Sequence, residues 1–259
     1  MGEAVYDVVI LGAGSGGYAA ALRASQLGLK VALIEGDKLG GTCLHRGCIP
    51  TKAYLHVADT VDTINESAQF GVNATLDGVD MDKVGHYRDS VVNKLYRGVE
   101  GLIGSRGVDV IHGWGRVTSP TTVDVNGTTV TGKNLILATG SYSKTLPNLP
   151  IEGRVITSDQ AFGADVTIIE GLPHLVPNED ETISKNLERA FRKRKINFKL
   201  NTRFQNATQD EYGVHVTTED GQTYDGDVLL VAVGRGPVTE GLGFEEIGVT
   251  LDRGFVITD

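Results

Sequence analysis

Residues 6–11 (YDVVIL) form a short β-branched run that meets Gly12 abruptly. That pattern predicts a strand buried on both faces of a parallel sheet. Residues 17–27 (GYAAALRASQL) are rich in alanine and stop at Gly28. They predict a helix with glycine just past its end. Residues 30–35 (KVALIE) predict the next buried strand. Residues 6–35 therefore read as one β-α-β unit, about 30 residues long as such a crossover requires. Helical patterns follow from about Cys43 to Ile64 and again over 81–105. The period then changes. Residues 108–131 are β-rich, and Asn126-Gly127 marks a hairpin turn. Residues 134–138 (NLILA) return to a buried strand that runs into Thr139-Gly140-Ser141.

Residues 146–153 (LPNLPIEG) hold two prolines and no periodicity, which predicts a boundary between a domain of residues 1–150 and another of residues 151–259. The second part partly repeats the first. Residues 27–36 (LGLKVALIEG) align with 162–171 (FGADVTIIEG), and 134–140 (NLILATG) more loosely with 227–234 (DVLLVAVG). The fold class expected is α/β, with two tandem Rossmann-like nucleotide-binding domains. The second copy should have a strand, a glycine-rich turn and a helix before Val166. Residues 155–163 (VITSDQAFG) are too few for all three, and Ala161 joins Phe162 abruptly. Residues 181–195 predict a helix with acids early and bases late, matching its macrodipole. The run Arg192-Lys193-Arg194-Lys195 reads as the solvated end of that helix rather than as a nucleic-acid patch.

Composition narrows the function classes. The 259 residues carry a net charge of −9, which argues against a nucleic-acid partner or a polybasic membrane anchor. No apolar stretch approaches the ~18–20 residues of a membrane span. No basic region precedes the first apolar run, so a secretory leader is not expected. There are only two cysteines. This fits a reduced compartment, taken as the cytoplasm, in which a close pair is metal-binding or catalytic rather than a disulfide framework.

Gly12-Ala13-Gly14-Ser15-Gly16-Gly17 follows a predicted strand and opens a predicted helix. Gly12 permits the tight turn, Gly14 lets a pyrophosphate approach the backbone, and Gly17 permits close helix–strand packing. The helix N-terminus offers free N–H groups to phosphate. Glu35 ends the second strand, where a carboxylate accepts from ribose hydroxyls. Cys43 and Cys48 lie just beyond, in GGTCLHRGCIPTK (residues 40–52). Three readings are open: structural thiols, a zinc site that would need ligands beyond His45 and His56, or a redox pair. The redox reading is the strongest, because Gly40-Gly41 lead into a helix while Arg46 and Lys52 supply positive charge.

The stretch GGTCLHRGCIPTK resembles the redox-disulfide signature of the flavoprotein disulfide reductases. The resemblance extends from YDVVILGAGSGG through NLILATGS to LLVAVGR, and within the family it leans towards the dihydrolipoamide dehydrogenases. It implies FAD in the first nucleotide site, with Gly12, Gly14 and Gly17 at the pyrophosphate and Glu35 at the ribose. Gly41 and Thr42 join the cofactor-binding set, and Lys52 lies beside the flavin ring. Gly115 meets the adenine end by its backbone, while Thr139, Gly140 and Ser141 line the flavin site. Cys43 is implied as the interchange thiol and Cys48 as the thiolate beside the flavin. Glu170 ends the repeated strand as Glu35 does. A carboxylate there accepts from a free 2′-hydroxyl and favours NAD over NADP. Gly234, and less directly Phe204, are implied next to NAD.

The implied activity is oxidation of dihydrolipoamide to lipoamide with reduction of NAD. A lipoyl-bearing acyltransferase complex is the implied partner and a homodimer the implied assembly. The family's C-terminal dimerisation domain and its His-Glu acid/base pair are not expected within these 259 residues. None of the six histidines lies in the expected His-Pro context, so none is assigned as catalytic, and His45 reads as a solvated or packed residue. Two alternatives stand beside this reading: a FAD-binding remnant without turnover, and a reductase of mycothione, glutathione or mercuric type.

Overall fold

The computed structural model describes residues 6–158 and 166–259, so the join of Ala161 to Phe162 lies outside the described residues. The chain divides into two compact units. Residues up to Tyr142 together with Arg235–Asp259 form the first, and Ser143–Gly234 form the second.

The first unit is built on β1 (Tyr6–Leu11), α1 (Ser15–Gln26) and β2 (Val31–Glu35). The short helix α2 (Gly41–His45) follows, then the longer α3 (Cys48–Glu66) and α4 (Met81–Ser105). After these come β3 (Asp109–His112), β4 (Gly115–Ser119), β5 (Thr122–Val125) and β6 (Thr128–Leu137). The six strands run in the order β3-β2-β1-β6-β5-β4. Strands β3, β2, β1 and β6 are parallel neighbours, whereas β6, β5 and β4 pair antiparallel. Strand β6 is long enough to serve both parts. Its first residues pair with β5 and its later ones with β1.

Alternation along the strands divides the core in two. Val8, Ile10, Val31 and Leu33 face α1 and α4, where Ala21, Ala24 and Ile103 are buried. Val9, Leu11, Ala32 and Ile34 face the β-meander, against Val117, Val123 and Val125. Two faces of burial are why these strands read as unbroken apolar runs. The Asn126-Gly127 turn has positive φ at both residues, 54° and 83°. That is the twist a tight hairpin needs, and it is why asparagine and glycine stand there.

A domain of residues 151–259 was expected from the sequence, but the last 25 residues of that span pack into the first unit. Phe244 is the reason. Its side chain is 2% exposed and sits in the meander core. The Val117 N–H also donates to the Leu242 carbonyl at 2.7 Å. A lone buried aromatic ring in a glycine-rich segment carries no periodic signal, so the sequence pattern does not reveal it.

The chain leaves the first unit within β7 (Ser141–Ser143). The second unit contains β8 (Val155–Ile156), β9 (Thr167–Ile169), α5 (Glu181–Lys193) and β10 (Asn197–Lys199). Its remaining strands are β11 (Phe204–Gln209), β12 (Val214–Thr218), β13 (Thr223–Gly226) and β14 (Leu229–Leu230). Strands β9 and β10 pair parallel, as do β14 and β8, while β11-β12-β13 form an antiparallel meander. The order β9–α5–β10–meander–β14 repeats β2–helices–β3–meander–β6 of the first unit. Among the described residues no strand joins the pairs into one sheet, whereas β1 does so in the first unit. Leu149, Val155, Val214 and Val231 form this unit's core, with Phe204 packed against it. No helix among the described residues is long and apolar enough to cross a membrane.

Replacing Phe244 by alanine should cost the first unit about 3 kcal/mol, the usual cost of emptying a buried aromatic site. Urea unfolding followed by circular dichroism measures it. In the second unit His215 on β12 stands opposite Asp225 on β13. Its Nδ1 lies 2.7 Å from Asp225 and its Nε2 3.2 Å from Asp210. Asp225 first, and Asp210 next, raise the imidazole pKa above its ordinary value. The hairpin therefore gains stability that is full below about pH 6.5 and fades as pH rises through the raised value. An NMR titration of the His215 ring should give a midpoint above about 6.5, and Asp225→Asn should bring it down.

Candidate active site

The first glycine-rich turn sits at the carboxyl end of β1, beside the carboxyl end of β6. Gly12 has φ 98° and donates its N–H to the Ile34 carbonyl at 2.9 Å. A Cβ on Gly12 would fall onto the Ala138 carbonyl, and one on Gly17 onto the Gly12 carbonyl. These two glycines are therefore required by packing. Gly14 differs. The nearest heavy atom to a Cβ there would be the Gly41 Cα, 4.0 Å away. Helix α1 opens at Gly14 without a side-chain cap, so its first N–H groups are presented at a place with no side chain. That cradle fits a pyrophosphate.

Glu35 completes the arrangement. Its carboxylate accepts from the Ala13 N–H at 2.7 Å and the Asp37 N–H at 2.8 Å. The turn thus holds the acid in place, and the remaining lone pairs can still accept from hydroxyls. Gly115 opens β4 in a buried position, where a Cβ would press on Leu11 at 2.6 Å and Val123 at 2.9 Å.

The redox segment is joined directly to this turn. The Gly40 N–H donates to the Ala13 carbonyl at 2.8 Å. Gly41 has φ 59°, and a Cβ on it would lie 2.6 Å from the Gly14 Cα. Two bare backbones meet here, and that close approach is what both glycines permit. The single helix expected from about Cys43 to Ile64 is in fact two, α2 and α3. The break falls at Gly47, whose φ −134° and ψ −108° are not helical. The break turns the chain back, so that Cys43 on α2 and Cys48 at the start of α3 form a disulfide with Cα atoms 4.8 Å apart. It also places Pro50 in the first turn of α3, where its missing N–H costs nothing.

Cys43 is half-buried and Cys48 exposed. Cys48 is the first residue of a 19-residue helix, at the positive end of its dipole. Lys52 lies one turn further along the same face of α3. Arg46 was expected to supply charge to the thiols, but its guanidinium is paired with Asp37 at 2.6 Å. The electropositive environment of Cys48 therefore comes from the helix N-terminus and Lys52. Thr42 is half-buried in α2, and its carbonyl accepts from the Arg46 N–H at 2.8 Å. His45 is a packed residue, as expected. Its Nε2 meets the Leu39 carbonyl at 2.8 Å, and its ring meets Tyr96 edge-on.

Thr139, Gly140 and Ser141 follow β6, but the sequence does not reveal what lies against them. The Thr139 hydroxyl donates to the Val238 carbonyl at 2.6 Å, and the Val238 N–H donates to the Gly140 carbonyl at 3.1 Å. Arg235 donates to the Ser141 hydroxyl at 2.8 Å. Trp114 also stands at this end of the sheet. Its ring covers the place where a Cβ on Gly36 would be. In the sequence its mark is an indole between two glycines, Gly113 and Gly115, with another glycine directly after Glu35.

Glu170 and Gly234 belong to the second unit. Glu170 Oε1 accepts from the Leu172 N–H at 2.8 Å, repeating the bond from Glu35 to Asp37. The bond that Glu35 receives from a glycine-rich turn is not repeated among the described contacts of Glu170. Gly234 has φ 105°, and its carbonyl accepts from the Lys144 N–H at 2.9 Å. Phe204 packs its ring into the core of this unit. No group of three His, Cys, Asp or Glu residues among the described residues could hold a metal ion.

The sequence pattern of the pyridine nucleotide-disulphide oxidoreductases matches residues 6–162 and 156–259. The chain belongs to that family. It is 37% identical to a dihydrolipoyl dehydrogenase of Bacillus subtilis over 97% of its own length and 63% of the relative's. The solved LpdA of Mycobacterium tuberculosis superposes with TM-score 0.84 at 25% identity, covering 95% of this chain and 62% of that one. The flavoprotein disulfide reductase RclA of Escherichia coli superposes with TM-score 0.83 at 26% identity, covering 98% and 62%. The chain thus spans somewhat under two thirds of the length of these relatives. Dihydrolipoyl dehydrogenases use FAD and NAD(H).

A Gly41→Ala substitution should destabilise the first unit by about 1–3 kcal/mol, because the new methyl meets backbone that cannot move aside. Gly98→Ala, on the open side of α4 with nothing within 4 Å, should stabilise it by about 0.5–1 kcal/mol. Paired thermal unfolding curves check both signs.

Proposed function

We propose that this chain carries the FAD site and redox disulfide of an NAD-dependent dihydrolipoyl dehydrogenase. The supporting observation is the junction of Gly41 with Gly14, which couples a cysteine pair to a dinucleotide-binding turn. Gly14 and the first N–H groups of α1 would hold the FAD pyrophosphate, and Glu35 the ribose. Lys52, Thr139, Gly140 and Ser141 would border the flavin. The Thr139 hydroxyl donates to the Val238 carbonyl and the Ser141 hydroxyl accepts from Arg235, which fixes both side chains in place. FAD, when bound, would supply a two-electron acceptor between the cysteine pair and NAD.

The protein's own step is exchange at sulfur. One thiolate of the dihydrolipoyl group attacks Cys43, the Cys43–Cys48 bond breaks, and Cys48 leaves as a thiolate. The N-terminus of α3 and Lys52 stabilise that charge. The second substrate thiol, deprotonated, attacks the substrate sulfur of the mixed disulfide. The lipoyl ring closes and Cys43 is released. The substrate loses two electrons and the cysteine pair gains them. Its two thiol protons pass to solvent or to Cys43.

Glu170 supports NAD over NADP, since a carboxylate repels a 2′-phosphate. A lipoyl domain of an acyltransferase complex would be the partner, and a second copy of the whole enzyme the other subunit. The likeness to RclA favours a second reading, a disulfide reductase acting on another sulfur substrate.

Purified protein should retain flavin, develop a long-wavelength charge-transfer band on two-electron reduction, and oxidise NADH when lipoamide is present. Cys48→Ser should lose the band, while Cys43→Ser should keep a thiolate at Cys48 and hence the band. Flavin without a band in the wild-type protein would point to a remnant without turnover. Turnover with another disulfide but not lipoamide would favour the second reading. Glu170→Arg should raise the ratio of NADPH to NADH use at least tenfold in steady-state kinetics.

A further inference from the structure

Trp114 is the sole tryptophan of the chain, and 72% of it is exposed. A large aromatic ring so exposed at the carboxyl end of a parallel sheet calls for an explanation. The ring is not loose. Its plane covers Gly36, where a Cβ would lie 2.7–2.9 Å from three indole carbons. The Gly113 N–H donates to the Glu35 carbonyl at 2.8 Å, which ties the loop carrying Trp114 to the end of β2. On its other side Gly115 is locked between Leu11, Val123 and Ile34. The indole is therefore supported from behind by backbone and flanked by two anchored glycines. One ring face is spent on Gly36, the residue directly after Glu35, and the rest of the indole is exposed.

From this geometry we propose that Trp114 is the stacking wall for the purine ring of the bound dinucleotide. Ribose hydroxyls and an aromatic base are adjacent parts of one nucleoside, and here the indole lies over Gly36, the residue that follows Glu35 at the end of β2. Gly36 is glycine because the indole needs its space. Gly115 takes part through backbone, as already expected, whereas Trp114 brings a π-face that no backbone contact supplies. This inference rests on the FAD reading above and deepens it.

ADP tests it. ADP carries the purine, ribose and pyrophosphate but no flavin, so energy transfer to a flavin cannot imitate contact. ADP titrated into the wild-type protein stripped of its flavin should quench the Trp114 emission, with the same dissociation constant that calorimetry gives. Pyrophosphate alone should leave the emission unchanged. Base–aromatic stacks lost to alanine predict that W114A weakens ADP and FAD binding about tenfold, while W114F stays within about threefold of wild type. ADP bound by calorimetry with unchanged emission would overturn the stacking role, as would W114A binding as tightly as wild type. Failure of the wild-type protein to bind either ADP or FAD would overturn the dinucleotide reading itself and this inference with it.

Discussion

The contact between Gly14 and Gly41 is the constraint on which the site depends. Two loops far apart in sequence meet with no side chain between them, and the Gly40 N–H to Ala13 carbonyl bond holds them in register. A methyl at Gly41 would push the cysteine-bearing helices away from the glycine-rich turn. Backbone packs on backbone here, so the separation between the glycine-rich turn and the disulfide is set by the fold rather than by flexible side chains. Chemistry that moves electrons between a sulfur pair and a bound ring needs such rigidity, because the reacting groups must be held within van der Waals reach.

The same economy appears at Glu35. The acid ends a strand, accepts from the glycine turn on one side and from its own chain on the other, and keeps lone pairs for a ligand. Glu170 repeats the local half of that geometry in the second unit. The repetition follows from strand ending and turn, both local features. The longer-range half depends on a glycine-rich turn, and in the first unit that turn is what converts a strand-end acid into an oriented acceptor.

The segment after Gly234 has two duties in the first unit. Phe244 closes the apolar space between the meander and the parallel sheet, and residues 235–238 occupy the polar groups that follow β6. A chain that left the first unit and did not return would expose Val117, Val123 and Val125 on that side. The division into units is therefore governed by where a single buried ring finds its cavity, not by the proline-rich stretch at residues 146–153.

The sequence alone determined the local elements whose signals are periodic or stereochemical. These are the β1-α1-β2 unit, the Asn126-Gly127 hairpin, α4, the helix from Glu181, the glycine turn with Glu35, and the paired cysteines with their redox character. Each depends on neighbours within a few residues or on a spacing. Only the tertiary structure decided the rest. It broke the expected helix at Gly47 so that two cysteines could meet, drew Arg46 away to Asp37, and brought Phe244 back into the first core. It also laid Trp114 on Gly36. All four outcomes turn on one side chain or one backbone group finding a partner across space, and such pairings leave no period in the chain.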